Sequence, residues 1–302
     1  MPFFSTVIAV HNRQDLISKT LDSVLAQEFG DQEIIVVDDG STDDTLTRLK
    51  DYGPKITLLQ QTNQGPSAAR NLGLAQASGN YVAILDSDDL WFPWTLGVYH
   101  QILRERDADS FLTGAPFVFR DEKDVLEVRR NETKSEYFND YLCSGDRWRW
   151  FGASSFVIRR DMLLEAEGFD RSLRQGEDAD LALRLGIAHG FIDLQEPYTF
   201  AYREHATSLK SKAELAYRSL SCLLAKEIEN QYPGGPPRAH ERRRILTRHI
   251  RPFTFGVIKS PEAAKGWLLY WRTFLWHLRL GRFAYLAGFP LLALFSRRKK
   301  NP

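Results

Sequence analysis

Two groups of aspartates follow apolar stretches of this chain, at positions where carboxylates can bind ligands. Residues 81–85 (YVAIL) form an apolar run with the length of a buried strand, and the acidic segment 86–89 (DSDD) follows directly. A second run, residues 33–37, is followed by Asp38 and Asp39. In open α/β sheets, ligands bind beyond the carboxyl ends of the strands. The spacing therefore predicts a carboxylate-lined site at one edge of a sheet.

The segment 86–89 favours a cation as the ligand, because clustered carboxylates repel one another unless a positive charge lies between them. Oxygen ligands suit Mg²⁺ or Mn²⁺, which keep some waters and share phosphate oxygens with a substrate. The alternative is an acidic turn that caps the helix beginning near Pro93. The segment alone leaves both interpretations open.

The charge of the chain is distributed unevenly. The 302 residues suffice for one large α/β domain and an accessory region, and the net charge is +1. Residues 238–302 hold 15 Lys and Arg against 2 Asp and Glu, which leaves 25 against 37 in the preceding part. This pattern predicts an acidic body and a basic tail that meets an anionic surface.

The cysteines and the first residues indicate a cytoplasmic protein. Cys143 and Cys222 are the two cysteines and have no metal-binding spacing, so we expect a reducing compartment, without a disulfide framework or zinc site. Residues 3–10 resemble a strand and lack the basic, apolar and small-residue succession of a signal peptide, so export is not expected.

Strand-like and helix-like apolar periods alternate along the first ninety residues. Strands are predicted at 6–10, 33–37, 56–59 and 81–85. Helices are predicted at 16–25, through Leu49 with Ser41 or Thr42 as the cap, and at 67–77. This alternation predicts an α/β fold with a mostly parallel sheet flanked by helices. Neither GxGxxG nor GxxxxGK[ST] stands where a phosphate-binding loop is needed, which disfavours dinucleotide-binding and P-loop proteins.

Four ordered blocks of the sequence carry a resemblance to a known family. They are TVIAVHNRQDLISKTLDSVLAQ, EIIVVDDGSTDDT, NQGPSAARNLGLAQASGNYVAILDSDDLW and GEDADLALRL. Together they resemble the family 2 inverting glycosyltransferases over about residues 5–210. The resemblance implies the GT-A fold, a Rossmann-like nucleotide-diphospho-sugar transferase architecture, and a donor that is usually a UDP-sugar.

The resemblance also implies roles for residues on the donor side. Asp39 resembles the carboxylate that accepts from the uracil imide N–H, and Arg70 resembles the arginine that reaches the same base. Asp86 resembles the first aspartate of the DxD motif, and Asp88 resembles the direct ligand of Mn²⁺ or Mg²⁺. The alternatives are a turn residue for Asp39 and a surface cation on a helix for Arg70.

Four further positions complete the implied donor and metal sites. The family commonly has tyrosine where this chain has His11, although an imidazole can still stack on a base. Val10 and Ser87 are expected to bind the nucleotide. His205, in the block YREHATS, is expected to complete the metal shell or to bond the diphosphate, with a structural histidine as the alternative.

The acceptor side is implied by the later blocks. Asp178 corresponds to the general base of the family, which takes the proton of an acceptor hydroxyl while that oxygen attacks the anomeric carbon opposite UDP. Glu177 is expected to orient the base or touch the acceptor, unless the pair is only a charged helix start. Residues 152–158 (GASSFVI), which begin with Gly152 and Ala153, resemble the family's small-residue strand beside the sugar, with a close helix-to-strand contact as the alternative. Trp150 ends an aromatic segment that suits an acceptor-facing flap or an ordinary packed loop.

The tail is predicted to be helical. A helix at 213–229 is followed by a hinge, PGGPP, and then by two or three helices rich in Arg, Trp and Leu. The apolar residues 283–295 are interrupted by Gly288 and Pro290 and are fewer than the roughly 20 needed to cross a bilayer. An interfacial membrane anchor fits this composition, and a helical subdomain packed on the catalytic body is the alternative. No nucleic-acid-binding motif is present.

The sequence thus predicts a GT-A catalytic domain at residues 1–210, with a nucleotide-binding half (1–91) and an acceptor half (92–210), and a helical C-terminal region at 211–302. The expected reaction is metal-dependent, inverting transfer from a UDP-sugar to a hydroxyl of a glycan or lipid-linked acceptor. Its expected context is cell-surface polysaccharide or glycolipid synthesis at the inner face of the cytoplasmic membrane.

Two alternatives to this reaction remain. A sugar-1-phosphate nucleotidyltransferase would use a similar sheet, but it would need a basic glycine-rich loop where this chain has HNRQD. A non-catalytic nucleotide- or carbohydrate-binding scaffold is the other alternative, and the presence of Asp88 and Asp178 argues against it.

Overall fold

The computed structural model describes residues 1–106, 110–147, 152–204 and 209–298. The chain divides into two compact units. The first comprises Met1–Tyr141 and Arg149–Ala206, and the second comprises Leu142–Trp148 and Thr207–Pro302. Two of the predicted site residues, Trp150 and His205, lie outside the described residues.

The first unit is built on one sheet of nine described strands. In chain order the strands are β1 (Phe4–Val10), β2 (Gln32–Asp39), β3 (Thr57–Gln61), β4 (Tyr81–Asp86), β5 (Leu90–Trp91), β6 (Phe111–Phe119), β7 (Lys134–Phe138), β8 (Phe156–Arg159) and β9 (Phe191–Arg203). Their spatial order is β3-β2-β1-β4-β8-β6-β9-β5, and β7 pairs with β9. The first four strands of this order are parallel to one another, whereas β8 runs antiparallel to both of its neighbours.

Seven described helices connect these strands. They are α1 (Ile17–Leu25), α2 (Thr45–Lys50), α3 (Pro66–Gln76), α4 (Thr95–Glu105), α5 (Glu122–Glu127), α6 (Arg160–Glu165) and α7 (Glu177–Arg184).

The apolar pattern of the sequence explains how these elements pack. In α1 the buried residues Ile17, Thr20, Leu21 and Val24 recur at the three- and four-residue spacing of one helix face. Helix α3 lies so close to the sheet that a Cβ added at Gly73 would come within 2.6 Å of a Val7 methyl carbon. A glycine is therefore required there, and α3 is held tightly against β1.

Four helices make up most of the second unit: α8 (Leu209–Ile228), α9 (Ala239–Val257), α10 (Ala263–Arg279) and α11 (Phe283–Arg298). Tyr270, Tyr285 and Phe289 form an apolar cluster between the last two helices. A fully buried ion pair joins α8 to α9, with Arg242 Nε 2.6 Å from a Glu227 carboxylate oxygen. Among the described helices, none is both long enough and apolar enough to cross a membrane.

The predicted α/β fold with flanking helices and helical tail is confirmed, but two local predictions are wrong. Gly152 precedes a 3₁₀ turn, Ala153–Ser155, so the strand predicted from that glycine begins only at Phe156. The charged residues 121–131, whose composition predicts a hairpin or loop, contain α5, which Asp121 caps by accepting from the Lys123 amide at 3.0 Å.

The division predicted after residue 210 stays a prediction. Residues Leu142–Trp148 group with the C-terminal helices, although they precede the last strands of the first unit in the chain. No periodicity or composition of that segment indicated this grouping.

Candidate functional site

The candidate site lies where three neighbouring parallel strands end. Val10, the last residue of β1, pairs with Asp38 of β2, and Ala9 pairs with Asp86, the last residue of β4. Because parallel strands end at the same edge, the side chains that follow them are brought to one edge of the sheet. The structure thus collects there the predicted residues Val10, His11, Asp39, Asp86, Ser87 and Asp88.

Asp39 is almost fully buried and organises the turn before α3. One carboxylate oxygen accepts from the Gln64 amide at 2.8 Å and from Gln61 Nε2 at 2.7 Å, and the other accepts from the Gly65 amide at 2.8 Å. A carboxylate offers about four lone-pair positions, so these three bonds leave one acceptor position on Oδ2. Asp39 is therefore a turn residue that retains the capacity to accept from a ligand N–H.

His11 is held in place beside Asp39. Its Nδ1 lies 2.9 Å from the Asp39 carbonyl oxygen, which accepts only, so Nδ1 donates to it. Asn63 Nδ2 lies 3.0 Å from Nε2 on the other side of the ring. These contacts fix the orientation of the imidazole.

Arg70 joins the end of β4 to the start of α7. Its side chain, 8% exposed, donates from Nη2 to Asp86 Oδ1 at 2.7 Å and from Nη1 to Glu177 Oε1 at 2.7 Å. Burial favours a lower pKa for Arg70, but the charges of Asp86 and Glu177 outweigh it and hold the pKa above the ordinary value. Phe169 covers the guanidinium at 5.2 Å. Arg70 therefore fixes α7 relative to the carboxylate edge.

Asp178 stands in the first turn of α7, next to the residue that Arg70 holds. Gly176 takes the left-handed conformation at the N-cap, φ +77°, which a residue with a side chain rarely adopts. Asp178 is partly buried, and one of its oxygens accepts from the Ala179 amide at 2.7 Å. Desolvation and the charge of Glu177 raise the pKa of Asp178 to about 7. A carboxylate with this pKa is suited to act as a general base at neutral pH.

The remaining acidic residue of that turn, Asp180, is fully buried and pairs with Arg184 Nε at 2.8 Å. An aspartate and an arginine four residues apart on one helix face stabilise the helix. Asp180 thus contributes to α7 itself rather than to a ligand surface.

The three carboxylates at the end of β4, Asp86, Asp88 and Asp89, are in different surroundings. Asp89 is buried and accepts from Ser154 Oγ at 2.6 Å and from the Arg203 amide at 3.0 Å. Burial, followed by the charge of Asp86, raises its pKa well above the ordinary value. Ser154 Oγ in turn accepts from the Asp86 amide at 3.0 Å. Asp89 therefore holds the turn in shape and is not placed to bind a ligand.

Asp88 lies beside a different arginine, Arg13. Its Oδ2 lies 3.4 Å from Arg13 Nε, and its side chain is 18% exposed. The Asp88 carbonyl oxygen accepts from Arg203 Nε at 3.1 Å, so the backbone at this position is fixed from the sheet side. Sequence reasoning assigned no role to Arg13 or Arg203, although Arg203 lies in the block YREHATS, and it included Ser154 only as a member of the small-residue segment 152–158.

The described residues contain no cluster of three or more His, Cys, Asp or Glu side chains that could hold a metal unaided. Mg²⁺ and Mn²⁺ are commonly held by one or two carboxylates together with substrate phosphates and waters. Asp88, whose side chain is 18% exposed beside Arg13, is a carboxylate of the kind that such a shared site uses, whereas Asp86 is bound to Arg70 and Asp89 to Ser154.

The described residues that the sequence predicts on the acceptor side are small or paired. Ala153 is buried in the 3₁₀ turn, and Gly152 has extended backbone, φ −165°. Glu177 is bound to Arg70, which leaves Asp178 as the neighbouring carboxyl without a cationic partner among the described contacts.

A sequence profile described as "Glycosyl transferase family 2" matches residues 5–165, which include the ends of β1, β2 and β4. The chain belongs to glycosyltransferase family 2. The profile ends before α7, so the assignment of Asp178 rests on the geometry and on the GEDADLALRL block.

Curated relatives of this family 2 chain are uncharacterised glycosyltransferases. One, of Rickettsia prowazekii, is 34% identical over 236 residues, which cover 77% of this chain and 71% of the relative. Another, of Nostoc sp., is 33% identical over 165 residues, which cover 53% of this chain and 51% of the relative. The chain thus spans about half the length of the latter.

Solved structures share the fold. The S. aureus TarS fragment 1–349 in complex with UDP-GlcNAc superposes with a TM-score of 0.68 at 21% identity. The match covers 88% of this chain and 79% of that one. At this level of identity the likeness establishes the shared GT-A architecture.

Proposed function

We propose that this chain is an inverting glycosyltransferase that moves a sugar from a UDP-sugar to an acceptor hydroxyl. The observation that carries the proposal is the double ion pair of Arg70, which fixes Glu177, and with it the neighbouring Asp178, beside the carboxylate edge formed by β1, β2 and β4. A donor site and a base are thereby joined in one rigid arrangement.

The donor-binding part of the proposal places the uracil near Asp39 and His11. The remaining acceptor position of Asp39 Oδ2 matches the uracil imide N–H, and the fixed imidazole offers a flat face for stacking. The TarS structure was solved with UDP-GlcNAc, which supports a UDP-sugar as the donor here.

The leaving group requires stabilisation, because negative charge grows on the diphosphate as the glycosidic bond breaks. Asp88 is the proposed protein ligand of Mn²⁺ or Mg²⁺, and Arg13, 3.4 Å from it, adds positive charge at the same place. When bound, the metal would neutralise the diphosphate as a Lewis acid.

Asp178 is the proposed general base. Its carboxylate takes the proton from the acceptor hydroxyl while that oxygen forms a bond to the anomeric carbon, and the bond from that carbon to UDP breaks on the opposite face. A single displacement inverts the anomeric configuration. The pKa of about 7 makes Asp178 basic enough to accept the proton and largely ionised above neutral pH.

The C-terminal helices support an acceptor at a membrane. Leu268, Trp271, Leu275 and Leu278 form an exposed apolar stripe on α10, and the exposed cations Arg272 and Arg279 stand beside it. Aromatic and aliphatic side chains with flanking cations suit the surface of an anionic bilayer. A glycan or lipid-linked acceptor, in cell-surface polysaccharide or glycolipid synthesis, is therefore proposed.

Nucleotide binding tests the donor proposal. Ligands that bind only the folded state raise the unfolding midpoint, so UDP, GDP, CMP and dTDP are compared by thermal unfolding with and without Mn²⁺. The proposal predicts the largest rise with UDP and Mn²⁺ together. An equal rise with all four nucleotides, or none with UDP, would contradict it.

A further inference from the structure

Three arginines of the second unit converge on one carboxylate. Arg244 Nε lies 2.7 Å from Asp146 Oδ1, Arg282 Nη2 lies 2.6 Å from Oδ2, and Arg251 Nη2 lies 3.5 Å from Oδ2. Arg244 and Arg251 stand two turns apart on α9, and Arg282 directly precedes α11. Two helices and the segment carrying Asp146 therefore meet at one cationic cluster.

The cluster has an excess of positive charge. Asp146 is the one carboxylate in the described contacts of these three arginines, so three cations face a single anion. Burial and the charges of Arg251 and Arg244 lower the pKa of Arg282 to about 10, although Asp146 opposes the change. Asp146 leaves part of the positive charge unneutralised, which favours a second anion.

The cluster also contains polar atoms without partners. The Arg282 side chain is nine-tenths buried, yet its Nη1 makes no hydrogen bond within the described part of the chain. The buried His277 packs against Tyr285, with ring centroids 4.2 Å apart, and neither of its ring nitrogens is bonded there. Unpaired buried donors are costly and are usually satisfied by a ligand or water.

The three arginine side chains differ in exposed fraction, and a ligand from solvent reaches the more exposed ones first. The Arg244 side chain is 51% exposed and that of Arg251 is 33% exposed, whereas Arg282 lies beneath them at 10%. Gly145 adjoins Arg244, since a Cβ there would lie in ordinary contact, 3.4 Å from Arg244 Cζ, and its φ of +67° favours glycine.

We propose that Arg244, Arg251 and Arg282 form a binding site for a phosphate group, with Asp146 holding the guanidinium groups in position. Guanidinium forks match the oxygens of phosphate and bind them through charge-assisted hydrogen bonds. The phosphate could be a soluble phosphate ester or the headgroup of a lipid, since both present the same chemistry. The site is independent of the proposed donor site, which belongs to the other unit.

The test uses the full chain and inorganic phosphate, without nucleotide or Mn²⁺, because UDP is itself a phosphate ester and Mn²⁺ binds phosphate. The unfolding midpoint is measured against phosphate concentration at constant ionic strength. Arg251→Gln removes the guanidinium with the longest contact to Asp146, so the two shorter contacts remain. Arg218→Gln is the matched control because it removes an exposed guanidinium of α8 outside the cluster.

The wild-type midpoint should rise with phosphate, and Arg251→Gln should weaken the phosphate affinity by about tenfold, the effect of losing one hydrogen bond between charged groups. Arg218→Gln should behave as the wild type. No rise in the wild type, or an equal loss in both variants, overturns the proposal.

A second measurement distinguishes the sources of the phosphate. Each protein is sedimented with phosphatidylcholine vesicles, with and without phosphatidic acid. A specific loss of phosphatidic-acid binding in Arg251→Gln supports a lipid headgroup. If Arg251→Gln and Arg218→Gln bind vesicles with phosphatidic acid equally but differ in affinity for inorganic phosphate, the ligand is a soluble phosphate ester.

Discussion

Replacing Asp178 by Asn should stabilise the protein at alkaline pH while it removes the proposed base. The pKa of Asp178 is raised from 3.8 to about 7 by desolvation and by Glu177. Between these two values the unfolded chain loses its proton and the folded chain keeps it, so the free energy of unfolding falls as the pH rises. Above about pH 7 both states are ionised and the full cost of the buried charge is present.

The size of this effect on the free energy of unfolding follows from the shift in the pKa of Asp178. A rise from 3.8 to about 7 gives a ceiling of about 4 kcal/mol, since each pH unit corresponds to about 1.4 kcal/mol. The side chain is partly exposed, and solvent screening reduces the effect, so about 1–2 kcal/mol is expected. Asparagine resembles the protonated acid in shape and still accepts from the Ala179 amide, so packing should change little.

Urea unfolding of wild type and Asp178→Asn at pH 4.5 and pH 8.5 measures this difference. The variant should gain stability relative to the wild type on going from the acidic to the alkaline condition. Asp44→Asn, an exposed position before α2, controls for the loss of one negative charge. A gain that is equal at both pH values, or as large in the control, would refute the raised pKa.

Four further results are expected. Sugar transfer by the wild type should increase with pH through about 7, because the base must be ionised, and Asp178→Asn should lower the rate about 10²–10⁴-fold in a UDP-release assay while UDP binding persists. Arg70→Met should cost about 3–5 kcal/mol in urea unfolding, since it leaves Asp86 and Glu177 without their cation; a cost under 1 kcal/mol would show that the ion pairs are dispensable. Ser154→Ala should cost about 1–3 kcal/mol in the same assay, because it removes a donor to buried Asp89, and Ser172→Ala, at an exposed position, is the control. Asp88→Ala should abolish the Mn²⁺-dependent part of UDP binding measured by calorimetry, and undiminished Mn²⁺ dependence would remove Asp88 from the metal site.

The strands of the first ninety residues could be predicted because a strand that is buried on both faces is an uninterrupted run of apolar residues. Residues 81–85 are apolar without interruption, and β4 indeed spans Tyr81–Asp86. Strand β9 is harder to predict because Glu196 and Pro197 interrupt its run of apolar residues, at the end of the part that pairs with β7. Such a strand is specified by its neighbours in the sheet and carries little local pattern.

The carboxylates of the site were identified from the sequence, but their separate surroundings were not. Asp86, Asp88 and Asp89 look equivalent in the segment DSDD. Asp89 is distinguished by Ser154, which is 65 residues away in the chain, and Asp86 by Arg70. Similarly, only the fold brings Glu177 to Arg70, 107 residues apart. Long-range partners of this kind are set by tertiary packing and have no local signature.

A crystal structure of the chain with UDP and Mn²⁺ tests the central claim most directly. The account predicts uracil beside Asp39 and His11, and an anomalous manganese signal at coordination distance from an Asp88 carboxylate oxygen and from the diphosphate. It also predicts the Asp178 carboxylate on the side of the metal site where a sugar would extend. UDP bound elsewhere, or a metal held away from Asp88, would contradict the account.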